Sequence, residues 1–188
     1  MGYRLAVVGG SWGGLDALGR LLALLDPGGP LAVAAALHRA PNGPEGALVS
    51  YLRSRSRLPV AEAEDKDEIE PGHVYLAPAD YHLLVEPGRF ALSIDAPIHF
   101  SRPSIDVLFE SAADAYAEAA TAVVLTGANA DGCSGLCQVK RRGGLTLVQD
   151  PETAVRREMP DAAIATGVVD EVLTVEEIAL RINELASR

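Results

Sequence analysis

Apolar positions along the chain change their period several times, and the changes mark out alternating strands and helices. Leu5 to Val8 is a continuous apolar run that stops at Gly9-Gly10, the pattern of a short strand buried on both faces. Leucines at 15, 18, 21, 22 and 25 then form a helical stripe, closed by Asp26-Pro27-Gly28-Gly29-Pro30. Leu31 to Leu37 predicts a second buried strand with His38 at its carboxyl end, and Glu45 to Arg55 a helix. A small β region follows: a strand over Gly72 to Ala77, then a hairpin of His82–Val85 and Arg89–Ile94 around Glu86-Pro87-Gly88. Ile105, Leu108, Phe109 and Ala112 have helical spacing within Ser104 to Ala119, with Ser104 as N-cap. The closing third alternates again. Strands are predicted at Ala122–Leu125, Leu145–Val148 and Val168–Leu173, and helices at Asp131–Arg142, Asp161–Thr166 and Val175–Ala186. Such alternation implies an α/β fold: a doubly wound, mostly parallel, Rossmann-like sheet with helices on both faces and a small β-hairpin region. With no repeat, linker or low-complexity segment, residues 1–188 read as a single domain.

Composition narrows the function classes. Apolar residues make up 48% and charged residues 22%, ordinary for a globular protein, and no apolar run approaches the roughly 18 residues of a membrane span. The start of the chain has no signal-type cleavage site, so the expected location is cytoplasmic, without membrane insertion. A net charge of −10 argues against nucleic acid as a partner, since phosphate binding wants clustered Lys and Arg. The basic cluster Arg53 to Arg57 and the acidic run Glu62 to Glu70 read as a solvated face and a loop. Cys133 and Cys137 lie four apart in a predicted helix with no His nearby in sequence. They read as buried small hydrophobes, and no metal set is expected.

Ligands of open α/β sheets bind beyond the carboxyl ends of the strands. Ser11, His38 and Asp131 fall at such ends. Ser11 lies in Gly9-Gly10-Ser11-Trp12-Gly13, which satisfies the G-x-S-x-G nucleophile elbow; a helix N-cap serine would satisfy it as well. The dinucleotide fingerprint G-x-G-x-x-G fails in both registers, because Ser11 or Trp12 occupies the middle glycine position. His38 is the candidate general base, as the first two strands of such a sheet are usually neighbours. His73, His82 and His99 are weaker candidates. Asp131 is the candidate third member, and also a candidate N-cap for the helix after it. Asp106 and Asp80 are alternatives.

At this point the residues resemble a known family. Val8 to Gly14, Leu37 to Arg39, Gly72 to Pro78, Arg102 to Phe109, Val124 to Gly127, Asp131-Gly132, Gly144 to Pro151 and Met159-Pro160 are, in order, similar to the catalytic domain of bacterial chemotaxis protein-glutamate methylesterases. The resemblance implies a serine hydrolase with Ser11, His38 and Asp131 as its triad and no cofactor. Its substrates would be glutamate methyl esters on the cytoplasmic helices of methylated chemoreceptors, with glutamine deamidation as a second activity. Backbone N–H groups near Trp12 and Ala128 would receive the oxyanion.

Four departures accompany the resemblance. Trp12 replaces a small Ser or Thr, and Ala128-Asn129 replaces Met-Gly. An extra residue separates His38 from Pro41, and no phosphoryl-receiver domain precedes the module. The last implies either a stand-alone type or a piece of a longer protein, and control by phosphorylation does not carry over to this chain. Two other readings stand beside the methylesterase: a serine hydrolase of another ester or amide, and a non-catalytic binding module of the same fold.

Overall fold

A computed structural model describes residues 4–39 and 46–187. Seven parallel strands form one sheet: β1 (Leu5–Gly10), β2 (Ala32–Leu37), β3 (Val60–Glu62), β4 (Val74–Leu76), β7 (Ala120–Val124), β8 (Leu145–Gln149) and β9 (Glu171–Leu173). Their order across the sheet is β3-β4-β2-β1-β7-β8-β9. The chain builds outward from β1 on one side as far as β3, then crosses back and continues on the other side of β1 from β7. The switch point of this doubly wound sheet is therefore the β1/β7 boundary, where such folds open a crevice at the strands' carboxyl ends. A separate antiparallel pair, β5 (His82–Glu86) and β6 (Arg89–Ser93), turns on Pro87-Gly88, with Gly88 at φ 80°.

The period-2 alternation of the central strands sorts side chains onto two cores. Ala6 and Val8 of β1, Val33, Ala35 and Leu37 of β2 and Val123 of β7 face one side. There they meet the apolar stripes of α1 (Gly14–Leu24), α2 (Ala47–Arg53) and α6 (Val175–Ala186). Leu5, Val7, Ala32, Ala34, Ala36, Ala122 and Val124 face the other, against α3 (Ile105–Tyr116), α4 (Cys133–Arg141), α5 (Glu158–Ala165) and the hairpin. Every residue of β1, β2 and β7 is buried, which explains why these strands read as continuous apolar runs.

Several expectations need correction. The acidic run is not all loop: Glu62 ends β3, an edge strand paired with β4. The helix predicted over Asp131–Arg142 begins at Cys133, because Gly132 adopts φ 101° as its N-cap. The last strand is Glu171–Leu173, with Val168 and Val169 packed on the core outside the ladder. The short helix α5 starts at Glu158, three residues earlier than predicted. Glu45, the predicted start of α2, lies outside the described residues. Both cysteines are half-buried on the flanks of α4, whose inward stripe is Leu136 and Val139. Among the described residues no helix is long and apolar enough to cross a membrane.

Candidate active site

Three adjacent strands deliver the candidate residues to one edge of the sheet. Gly10 is the register partner of Leu37, and the His38 N–H donates to the Gly10 carbonyl at 3.1 Å. Ser11 and His38 are thus the first residues beyond a paired row of neighbouring strands, which lie about 4.8 Å apart. Asp131 arrives from the loop after β7, on the other flank of β1.

The turn that presents Ser11 depends on glycine at defined points. Gly13 has φ 81°, and a Cβ there would come within 2.8 Å of Val155 Cβ. Gly13, not Ser11, is the N-cap of α1, so the serine is not used up as a cap. The Ser11 N–H donates to the Thr126 carbonyl at 3.0 Å and its carbonyl accepts from Gly14, while its hydroxyl bonds to no group among the described residues. Gly127 lies against it: a Cβ at 127 would sit 3.0 Å from Ser11 Cβ and 2.6 Å from Met159 Sδ. The Thr126-Gly127 segment is itself held by Gln149 Oε1, which accepts from the Thr126 N–H at 2.8 Å, and by the Arg156 N–H, which donates to Thr126 Oγ1 at 2.8 Å.

His38 and Asp131 meet directly. Nε2 donates to Asp131 Oδ2 at 2.7 Å, with the carboxylate fully buried and the imidazole nearly so. Asp131 accepts three further hydrogen bonds: from the Ile105 N–H on Oδ2 at 2.8 Å, and from the Asp106 N–H and Ser104 hydroxyl on Oδ1, both at 3.0 Å. These donors are the N-terminus of α3, which favours a negative charge. Burial pushes the Asp131 carboxyl up. The His38 hydrogen bond, the two backbone N–H groups and the imidazole's charge outweigh it and hold the group below its ordinary value of 3.8.

Asp131 therefore does not cap the helix that follows it. It caps α3, and α3 returns the favour: Asp106 Oδ1 accepts from the Gly135 N–H of α4 at 2.8 Å. Helices α3 and α4 exchange carboxylate caps across their contact. Asp106 is raised, first by burial and then by the nearby Asp131 charge, against the pull of the Gly135 N–H.

The alternatives take other roles. His82 is buried, with Nδ1 accepting from the Ser104 N–H at 3.1 Å and Nε2 donating to the Ala96 carbonyl at 3.2 Å, which braces the start of α3. His73 Nδ1 donates to the Pro71 carbonyl just before β4, and Asp80 pairs with Arg102. His99 lies 3.5 Å from Asp106. His99, Asp106 and Asp131 offer ligand atoms within 4.8 Å of one another, but both Asp131 oxygens are committed to the four donors named above. Cys133 is pushed up to about 11 by burial and by neighbouring carboxylates, which keeps it a thiol.

A cavity of about 440 Å³ opens beside His38, walled by Arg39, Asp80, Phe100 and Arg102 among others. Both guanidiniums are engaged, Arg39 with Glu62 and the Ala77 carbonyl, Arg102 with Asp80 and the Ile94 carbonyl. Trp12, next to Ser11 in the chain, is 64% exposed, with the Arg156 guanidinium 5.6 Å from its ring centroid. Ala128 is also exposed. Among the described residues the N–H groups of Trp12 and Ala128 have no partner. The sequence reading missed the Ser104 hydroxyl on Asp131, the Thr126–Gln149–Arg156 support and the Asn129 amide beside His38.

Comparisons with known proteins agree over nearly the whole chain. The crystal structure of the Thermotoga maritima CheB methylesterase catalytic domain superposes with a TM-score of 0.92 at 35% identity, covering 98% of this chain and 100% of that one. The protein-glutamate methylesterase/protein-glutamine glutaminase of Paraburkholderia xenovorans is 38% identical over 183 residues, which are 95% of this chain and 50% of that protein. A relative from Leptospira interrogans, whose name carries the same two activities, is 42% identical over 180 residues, covering 95% of this chain and 93% of its own length. The family model described as CheB methylesterase matches residues 6–182, and the chain belongs to that family.

Proposed function

We propose that this methylesterase hydrolyses glutamate methyl esters on chemoreceptor helices in the cytoplasm, with Ser11 as nucleophile, His38 as base and Asp131 as the residue that orients the base. One observation carries the assignment: a fully buried carboxylate bonded at 2.7 Å to His38 Nε2, at the strand end next to an elbow serine. An ionised carboxylate only accepts, so the His38 proton sits on Nε2 and the lone pair on Nδ1. Nδ1 takes the Ser11 proton as Oγ attacks the ester carbonyl. The oxyanion is received by the N–H groups of Trp12 and Ala128. Asp131 stabilises the imidazolium, which then protonates the leaving methanol, and water hydrolyses the acyl-enzyme by the reverse sequence. A glutamine side chain follows the same course with ammonia leaving, which is the proposed second activity.

The surroundings favour a protein substrate. Trp12 and Val155 are exposed on one side of the site, and Ile98 and Phe100 on the other, an apolar rim that a small polar substrate does not need. Phe100 stands at the tip of a tight turn in which His99 and Phe100 both have positive φ, 48° and 62°, closed by hydrogen bonds between Ile98 and Ser101. Bulky residues in that conformation carry strain, so the turn holds Phe100 outward against a local cost. A fluorophosphonate probe tests the chemistry: it should label Ser11 in the native chain and not in Ser11→Ala or His38→Ala. Labelling at another residue would move the nucleophile away from Ser11, and no labelling would leave the fold as a binding module.

A further inference from the structure

Asn129 lies half-buried in the loop between β7 and α4, and its orientation is set by the chain itself. Oδ1 accepts from the Asp131 N–H at 3.2 Å, so the NH2 end must face the other way. There Nδ2 sits 3.4 Å from His38 Nδ1. Because His38 Nε2 carries the proton toward Asp131, Nδ1 holds the lone pair. A fixed amide donor and the base atom thus share one small space. At 3.4 Å their contact is long for a hydrogen bond, and it cannot persist through the reaction. General base catalysis requires the Ser11 hydroxyl to take up that lone pair at roughly 2.6–3.2 Å. Once it does, the amide needs a new acceptor, and the developing oxyanion is two bonds from Oγ.

We propose that the Asn129 side-chain amide is an oxyanion donor, a catalytic residue acting with the backbone N–H groups of Trp12 and Ala128; this rests on Ser11 and His38 being nucleophile and base. The loop supports the geometry twice over. Ala128 presents an N–H with no partner among the described residues one position earlier, and the Asp131 N–H anchors the Asn129 carboxamide two residues before the triad carboxylate. An amide held this way needs little reorganisation when charge develops, which is what makes such donors effective. The same contact has a competing meaning: in the resting enzyme the amide occupies Nδ1 and could only obstruct the serine. The two meanings predict opposite signs.

The test is steady-state hydrolysis of p-nitrophenyl acetate by the full chain carrying Asn129→Ala or Asn129→Asp, with Ser11→Ala alongside and circular dichroism to verify folding. Asp retains the acceptor for the Asp131 N–H and so preserves the loop, and it removes the donor while adding a charge beside His38; Ala removes the donor without that charge, so the proposal requires both variants to lose activity. Both variants should lose about 10²–10³ in kcat with KM within threefold. A kcat within threefold of wild type, or a faster enzyme, would overturn the proposal, the latter by showing that the amide merely blocks the base. A loss confined to Ala would also overturn it, by showing that the side chain only shapes the loop. Turnover surviving in Ser11→Ala would instead remove the nucleophile assignment, and the oxyanion role with it.

Discussion

Replacing Asp131 by Asn probes stability and catalysis through the same four hydrogen bonds. The carboxylate accepts from Ser104 Oγ and the Asp106 N–H on one oxygen, and from the Ile105 N–H and His38 on the other. An amide can keep only one pair. With its oxygen in the Oδ2 position, it retains Ile105 and His38, and the Ser104 hydroxyl can turn to accept from the new NH2. The Asp106 N–H alone is then left facing a donor, which costs about 1–3 kcal/mol when buried. Loss of the negative charge at the α3 N-terminus adds about 1 kcal/mol. Asp131→Asn should therefore unfold more easily by about 2–4 kcal/mol, read from urea denaturation at pH 7. This orientation preserves the tautomer of His38 but no longer stabilises its charged form, so turnover of p-nitrophenyl acetate should fall by about 10²–10⁴. The pH dependence has a definite sign. Asp131 is held below 3.8 in the fold, so its contribution to stability is present above the unfolded value and disappears as pH falls through the folded one. The gap between wild type and variant should close in acid. A variant within about 0.5 kcal/mol of wild type, or one with turnover within tenfold, would refute the reasoning.

Further predictions concern the neighbours. Asp106 is raised, so its favourable contribution exists below the unfolded carboxylate value and is lost as pH rises through the folded one; the stability of Asp106→Asn relative to wild type should improve between pH 3.5 and pH 7, and a fall over that interval in urea midpoints would contradict the assignment. Trp12→Ser and Phe100→Gly should reduce kcat/KM for a methylated receptor much more than for p-nitrophenyl acetate, with Phe100→Gly within about 1 kcal/mol of wild-type stability because relief of its positive φ offsets the flexibility of glycine. Equal factors for both substrates would mean that these residues shape the turn and not recognition. The Cys133 thiol, pushed up to about 11 from 9.0, should react with iodoacetamide about 100-fold more slowly in the native chain than after unfolding; equal rates by mass spectrometry would show an accessible thiolate.

The central strands were legible because burial on both faces removes any need for polar alternation: Leu5 to Val8 and Leu31 to Leu37 could hardly be anything else. β3 was hidden because an edge strand of three residues, lying between a basic and an acidic cluster, carries no apolar run. Ser11 and His38 were placed by rules local to a strand end. The expected contact of Asp131 with His38 is present, but its capping role was assigned to the wrong helix, since a sequence reading looks for capping in the helix that follows. The donors it serves are 25–27 residues upstream, and only the α3–α4 contact brings them together. The glycine at 132, not the aspartate, starts α4, and that frees the carboxylate to face α3. Cys133 and Cys137 were misjudged because their i, i+4 spacing matches an inward stripe as well as a flank, and the pattern alone does not say which side Leu136 will choose.

The most direct test of the central claim is release of methanol from a methylated chemoreceptor by the wild-type chain and by Ser11→Ala. The triad assignment predicts steady release by wild type and a loss of several orders of magnitude in the variant, about 10⁶ where a comparable serine has been removed from a protease, with unchanged folding. Release by Ser11→Ala within tenfold of wild type would remove Ser11 from the mechanism.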